Sequence, residues 1–402
     1  MLARLNTKIN SRIKRFFTVT TFSLLVTAFA HANSDCLAIN NLHTQKAVIK
    51  SQQLVSNYLQ QYGAIGASIA VSHCGKIVWQ QGFGLADIEN NVSMTPDTKL
   101  RIASISKTLT SVALGQLYQQ QKLDLDAPIQ QYVPSFPEKR APITLRQLAG
   151  HLAGIRHYHG KEFLSNKAYS SVSDGLSIFK NDPLVNTPGN DYSYSSYGWN
   201  LISAAIEQVG QQNFLDYMQT HIFLPAQMTD TLPEYHHTLT PNRGRQYQVS
   251  DDRLSINNAP YVDNSYKWAG GGFIGTARDL IKFGTAVSSG KLMARDTFQL
   301  LITPQNTRQG ESTYYGLGWN TNMVKNQSAG VTKVWGDAFA QTVTSTFTQM
   351  PLVGHTGGAT GGRSVFMMTP NNHWSIAVIV NANVAPAFAL PVLSYFMSTP
   401  AR

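Results

Sequence analysis

The sequence is poor in cysteine and in charge. Its two cysteines, Cys36 and Cys74, are too few for a disulfide-stapled scaffold or a cysteine-based zinc module. Charged residues make up 13% of the 402 positions, against 43% hydrophobic and 10% aromatic, which excludes a disordered chain and a coiled coil. No acidic residue precedes Asp35. Beyond the first segment, no apolar run approaches the ~18 uninterrupted residues of a spanning helix, so no integral membrane segment is expected in a mature chain. Of the 32 Lys and Arg residues, five (Arg4, Lys8, Arg12, Lys14 and Arg15) lie in the first 15 positions. The other 27 face 22 Asp and Glu, so the net charge falls from +10 to +5 once those five are set aside. That balance is ordinary for a soluble surface, and no nucleic-acid partner is expected.

What is present begins with an address. The basic start is followed by the mostly apolar run Phe16 to Ala30, then by small residues in A-x-A form, as Ala28-Phe29-Ala30 or Ala30-His31-Ala32. Basic, apolar, then small is the layout of a secretory signal peptide, assigned here to residues 1–32. A secreted or periplasmic destination follows, in which Cys36 and Cys74 either pair or remain separate thiols. The alternative for the first segment is an uncleaved anchor.

Residues 47–62 have helical spacing. Ala67–Ser72 and Lys76–Gly84 read as strands, joined through a turn at His73-Cys74-Gly75. Helical periodicity returns from about Ser104 through Leu117 and dominates from 143 to 300, with long loops. Ser364–Met368 and Trp374–Asn381 are strands again, and a short apolar helix closes the chain near 387–397. The simplest assembly is an α+β fold with an antiparallel sheet built from both chain ends and flanked by helices. One domain is expected over 45–398, with a mostly helical subdomain inserted at about 104–300.

The candidate nucleophile lies in Ser104-Ile105-Ser106-Lys107, an S-x-x-K pattern. Residues three apart share one helix face, with ~5–6 Å between Cβ atoms. A serine in a first helical turn sits where backbone N–H groups favour developing negative charge. A lysine one turn on can take the serine proton once its own pKa is depressed. Taken alone, the pattern is equally a helix cap followed by a solvated lysine. Two later motifs alter that balance: Tyr194-Ser195-Ser196 after the turn Pro188-Gly189, and His355-Thr356-Gly357-Gly358 before the C-terminal strands.

The order S-x-x-K, Y-x-polar, H/K-T-G-G resembles that of the penicillin-recognising serine hydrolases. The flanks Arg101-Ile102-Ala103, Trp268-Ala269-Gly270-Gly271-Gly272-Phe273 and Tyr315-Gly316-Leu317-Gly318-Trp319 are similar too, as is His151-Leu152-Ala153-Gly154-Ile155-Arg156-His157-Tyr158. Over about residues 50–395 the chain is identified as a member of the class C β-lactamase-like family, most similar to the branch of the mitochondrial serine β-lactamase-like protein and its bacterial relatives.

The resemblance implies a β-lactamase/transpeptidase-like fold and an acyl-enzyme mechanism that needs no cofactor or metal. Ser104 would be the nucleophile, with Lys107 and Tyr194 as its base system. The backbone N–H groups of Ser104 and Gly358 would form the oxyanion hole. Ser196, His355, Thr356 and Gly357 would line the substrate site. Two departures stand out. Ser196 occupies a position where many relatives carry asparagine, and His355 one where β-lactamases and transpeptidases usually carry lysine. A largely neutral histidine attracts a substrate carboxylate less than lysine does. Weak β-lactam turnover is therefore expected, with a small peptide, ester or cell-wall-derived molecule as substrate. A D-alanyl-D-alanine carboxypeptidase, and a catalytically inactive peptide-binding or filament-forming scaffold, remain the alternatives. Oligomeric state is not readable from these residues.

Competing patterns are weaker. Gly270, Gly272 and Gly275 fit G-x-G-x-x-G, but no β-α-β context surrounds them, so a tight turn before a helix at Ala277–Phe283 is the better reading. His157-Tyr158-His159 and Glu234-Tyr235-His236-His237 lack the helical i, i+4 spacing of a zinc hydrolase and are read as loop histidines. Asp279 is expected to serve the first turn of its helix, and Trp268 and Trp319 to be wall or core residues.

Overall fold

The structure is a computed structural model that describes residues 41–235 and 237–398. The assigned signal peptide, Cys36 and His236 lie outside the described residues. Helix α1 (Asn41–Tyr62) leads into a hairpin of β1 (Gly66–His73) and β2 (Lys76–Asp87), extended by β3 (Val92–Ser93). Strand β4 (Leu100–Arg101) and a 3-10 turn at Ala103–Ile105 open α2 (Ser106–Gln119). The middle of the chain supplies α3 (Leu145–Ala149), α4 (Val172–Leu176), α5 (Tyr197–Gly210) and α6 (Phe214–Met218). Four short strands follow or interrupt the helices: β5 (Leu232–Pro233), β6 (Tyr247–Val249), β7 (Ile256–Asn258) and, after α7 (Trp268–Gly271), β8 (Phe273–Gly275). Next come α8 (Ala277–Ser288), α9 (Arg295–Ile302), α10 (Met323–Trp335) and α11 (Asp337–Ser345). Strands β9 (Val353–Ala359), β10 (Gly362–Met368) and β11 (Trp374–Val380) precede the final helix α12 (Ala389–Met397).

The two chain ends make one antiparallel sheet in the order β3-β2-β1-β11-β10-β9 among the described residues. Its central strands read as near-continuous apolar runs because both faces are covered. Successive side chains point to opposite faces, and the burial follows that alternation. Ile69, Val71, Val365, Met367, Ile376 and Val378 pack toward α1, α10 and α12. Ala70, Phe366, Met368, Ala377 and Ile379 pack toward α2, α5 and α8. The second face admits α8 closely at Gly284, where an added Cβ would stand 2.9 Å from the Phe366 ring. The sheet thus divides two cores, and the second one extends into the helices that carry the site.

Helix α8 starts as its sequence indicates, with the Thr276 hydroxyl accepting from Asp279 N–H at 3.1 Å. The Asp279 carboxylate does more than serve that turn. It is fully buried and accepts from Asp230 N–H at 2.7 Å and from the Thr231 hydroxyl at 3.0 Å, tying the 230–231 loop to α8. Within the stretch 104–300, expected to be mostly helical, β5 and β8 pair with each other, and β8 also pairs with β4. That small sheet holds Arg101 in place. Its guanidinium Nε donates to Glu234 at 2.8 Å, and Glu234 also accepts from Arg243 at 2.6 Å. Trp319 is fully buried, stacked on Phe283 and tilted against Phe366, and Trp268 is buried as well.

Candidate active site

Ser104 does not begin a regular helix. It sits in the 3-10 turn ahead of α2, directly after Ala103, whose φ of +50° is left-handed. For a residue with a Cβ this conformation costs of order 1–2 kcal/mol. The surroundings hold the turn in place. Ile102 N–H donates to Phe273 O at 3.2 Å, and the Ser364 hydroxyl donates to Ile102 O at 2.8 Å. Strand β9 passes so close that a Cβ on Gly357 would meet Ile102 O at 2.5 Å and the Ser364 hydroxyl at 2.1 Å. Glycine at 357 is therefore required by the approach of β9 to the serine turn.

Lys107 lies one turn into the helix and is fully buried. Its Nζ is 3.0 Å from Ser104 Oγ, 3.0 Å from Ser196 Oγ and 2.5 Å from Gly270 O. Burial drives its pKa well below the ordinary lysine value, and the charge of Lys267 pushes in the same direction. Gly270 O can only accept, so a neutral amine keeps an N–H on that carbonyl and has a lone pair for the Ser104 hydroxyl proton. Tyr194 Oη donates to Ser104 Oγ at 3.0 Å, and the Lys107 ammonium position is 5.0 Å from the Tyr194 ring centre. Burial raises the Tyr194 phenol to about 12, partly offset by its bonds to Ser104 and Ser196. Near neutral pH it is therefore a proton donor. Its ring is braced by His151, with centroids 4.3 Å apart, and by His157 edge-on at 5.4 Å.

Ser104, Tyr194, Ser196, His355, Thr356 and Gly358 share one open cleft of about 520 Å³. Lys107 stands beneath its floor, and Gly357 is buried against the serine turn. Ser196 is itself buried, with its hydroxyl on Lys107 and its backbone N–H donating to His157 Nδ1 at 3.2 Å.

His355 is buried, and burial together with the Lys107 charge lowers its pKa to about 3. Its Nδ1 lies 2.5 Å from Thr356 O, which can only accept, so Nδ1 carries the hydrogen. Nε2 is then an acceptor for the Tyr315 hydroxyl at 2.9 Å. The third motif accordingly places an uncharged ring, already bonded at both nitrogens, where a lysine would place a cation.

Sequence reasoning missed several cleft residues. His157, read there as a loop histidine, lines the cleft. Because its Nδ1 accepts from Ser196, its neutral ring presents Nε2–H, and burial holds its pKa near 4. Lys267 and Arg363 also face the cleft. Lys267 adjoins the Trp268 to Gly271 flank, so its place in the sequence was the available clue. Of the three glycines of the G-x-G-x-x-G pattern, Gly270 lies in α7, Gly272 in the turn that follows it and Gly275 at the end of β8. Gly270 abuts Ser196 O, and its own carbonyl accepts from Lys107. Among the described residues no group of three or more His, Cys, Asp or Glu is placed to hold a metal ion. Nor is any described helix long and apolar enough to cross a membrane.

The family pattern described as Beta-lactamase matches residues 52–391. The chain belongs to the beta-lactamase family of serine hydrolases. It is 34% identical to the mitochondrial serine beta-lactamase-like protein LACTB of Mus musculus, over 85% of this chain and 75% of that one. It is 28% identical to the putative penicillin-binding protein PbpX of Bacillus subtilis, over 78% of this chain and 82% of that one. The fold is shared with a D-amino acid amidase from Ochrobactrum anthropi, with a TM-score of 0.71 at 20% identity, covering 88% of this chain and 98% of that one. An octameric penicillin-binding protein homologue from Pyrococcus abyssi gives 0.68 at 20% identity, covering 87% and 76%.

Proposed function

We propose that this family member is an exported hydrolase that cleaves ester or amide bonds of small or cell-wall-derived peptide substrates through an acyl-enzyme on Ser104. The observation that carries this reading is the placement of Lys107 Nζ and Tyr194 Oη, each 3.0 Å from Ser104 Oγ in the cleft. Neutral Lys107 takes the hydroxyl proton as Oγ attacks the acyl carbon. The oxyanion forms between the N–H groups of Ser104 and Gly358, and each such donor is worth ~2.7–4 kcal/mol in the transition state. Collapse expels the leaving group, which takes the phenolic proton of Tyr194, and Lys107 restores that proton to the tyrosine. Water then attacks the acyl-enzyme with the proton transfers reversed, freeing the acid and Ser104.

The neutral, doubly bonded His355 supports weak β-lactam turnover. A chromogenic cephalosporin should give kcat/KM far below the diffusional ceiling of ~10⁸–10⁹ M⁻¹s⁻¹. A value near that ceiling would contradict this part of the reading. Export is supported by the basic, apolar and small-residue order of the first 32 positions. The mammalian relatives are named as mitochondrial, which makes an organelle the competing address.

The test is covalent labelling. A fluorophosphonate probe should label the purified protein stoichiometrically, and Ser104→Ala should abolish the adduct. An unlabelled native protein would favour an inactive binding scaffold instead.

A further inference from the structure

Lys267 is a buried amine that meets no anionic partner among the described residues. It is 4% exposed, yet it borders the catalytic cleft. Its Nζ lies 4.4 Å from the ring centre of Phe163, 5.1 Å from that of Tyr266 and 5.4 Å from that of Tyr158. Aromatic faces attract an ammonium group and keep water from it, but they do not neutralise it. The acid near enough to influence it is Glu234, which already accepts from Arg101, Arg243 and Asn264. No hydrogen bond or ion pair reaches Lys267 Nζ from any described residue. Burial lowers its pKa to about 7, with the Arg101 charge adding to the effect and Glu234 opposing it.

The remaining cleft wall has the same character. Among the described residues no Asp or Glu lines the cleft, and its other basic side chain, the half-buried Arg363, spends one nitrogen on the carbonyls of Ala359 and Gly362. His157 adds an N–H donor beside Lys267, and His355 adds no charge. An unpaired buried charge is costly unless a counter-ion arrives. A ligand carboxylate would supply it.

We propose that Lys267, held in its aromatic box, is the specificity-determining cation of the cleft and selects substrates that carry a carboxylate near the bond to be cleaved. It would hold that carboxylate at a different place in the fold from the third motif, so a β-lactam, whose carboxylate would have to meet the neutral third-motif histidine, is still expected to turn over weakly. The inference rests on the hydrolase reading for its catalytic meaning, but the recognition step can be measured without turnover.

The test is calorimetric binding of glutaranilic acid and of its neutral primary-carboxamide analogue to the full chain carrying Ser104→Ala. The carboxylate should bind roughly tenfold or more tightly than the amide, as a charge-assisted contact implies. Adding Lys267→Met should erase that preference, and Lys267→Arg should retain most of it. The amide's affinity and the thermal melting curve check that each variant is folded. The proposal is overturned by equal affinities in the Ser104→Ala protein, by no measurable binding of the carboxylate, or by a preference that survives Lys267→Met. It is also overturned if the preference disappears only with Arg363→Gln. Fluorophosphonate labelling of native protein reads the hydrolase proposal separately. Discrimination without labelling would sustain Lys267 recognition alone, and labelling without discrimination would sustain the hydrolase alone.

Discussion

At the scale of single residues, the site depends on which groups are charged. Lys107 is useful as a base only when neutral, and its burial favours that state. As pH falls through its lowered pKa the amine gains a proton, and Ser104 loses its acceptor. The rate of fluorophosphonate acylation should therefore rise with pH along a limb set by Lys107 and level off below the ordinary lysine value near 10.4. Lys107→Met should slow acylation by about 10³-fold or more, as loss of a nucleophile's base does in related acyl transfers. A flat pH profile in native protein would exclude Lys107 as the base. Tyr194→Phe removes a proton donor and should cost ~10²–10⁴-fold in turnover of an ester, the range for general acid-base groups. Stopped-flow assays of release against acylation would place that loss mainly after Oγ attack.

At the scale of elements, the site is made by a close crossing. Strand β9 lies against the turn at Ala103–Ile105, and Gly357 is the point of contact. Gly357→Ala would force its Cβ into Ile102 O, a backbone atom with no freedom to withdraw. Overpacking of this kind costs ~1–3 kcal/mol. The expected result is a lower urea midpoint together with loss of labelling at Ser104, because the strand moves away from the serine. The glycine motif was legible in sequence, but its strand was not. Glycines at 354, 357 and 358 dilute the alternation that marks β-structure, and the element is specified instead by pairing with β10. Helices α10 and α11 were also missed. They are largely exposed and bury mainly Met323, Val331, Ala340 and Val343, so their apolar stripe is thin. The start of α2 was read at Ser104, whereas the left-handed Ala103 delays it to Ser106. No propensity marks a strained alanine, because the constraint comes from β8 and β10. Hydrophobic runs in β1, β10 and β11 were readable because burial on both faces leaves an unbroken apolar stretch.

At the scale of the whole molecule, the cost of the site becomes a dependence of stability on acidity. His151 and His355 are buried, and their pKa values lie below the ordinary histidine value, His355 near 3. His151 accepts from Ser195 N–H at 3.1 Å through Nδ1, while its Nε2 has no hydrogen-bond partner among the described residues. In the unfolded chain both rings protonate near pH 6.5. Between that value and the folded ones, the unfolded state binds more protons, so stability rises with pH. Folding free energy should therefore be fully present above about pH 6.5 and decline as pH falls toward 3. Urea unfolding across this window should show a smaller loss in His355→Gln than in the native sequence. A stability that is flat from pH 7 to about 4 would mean that the histidines are not held neutral.

The motif order S-x-x-K, Y-x-S, H-T-G-G identified the three stretches that the fold brings together, since each carries its chemistry in residue type and spacing. The charge pattern of the cleft was not legible, because Lys267, Arg363 and His157 come from separate loops and strands with no shared period. Their common role exists only once the sheet and helical block are assembled.

The most direct measurement is intact-mass spectrometry of the native protein, acid-quenched during turnover of an activated ester. One added acyl mass is expected, located by peptide mapping to Ser104 and absent from Ser104→Ala. Substrate consumed with no acyl mass at saturating ester, or an adduct mapping to any other residue, would contradict it.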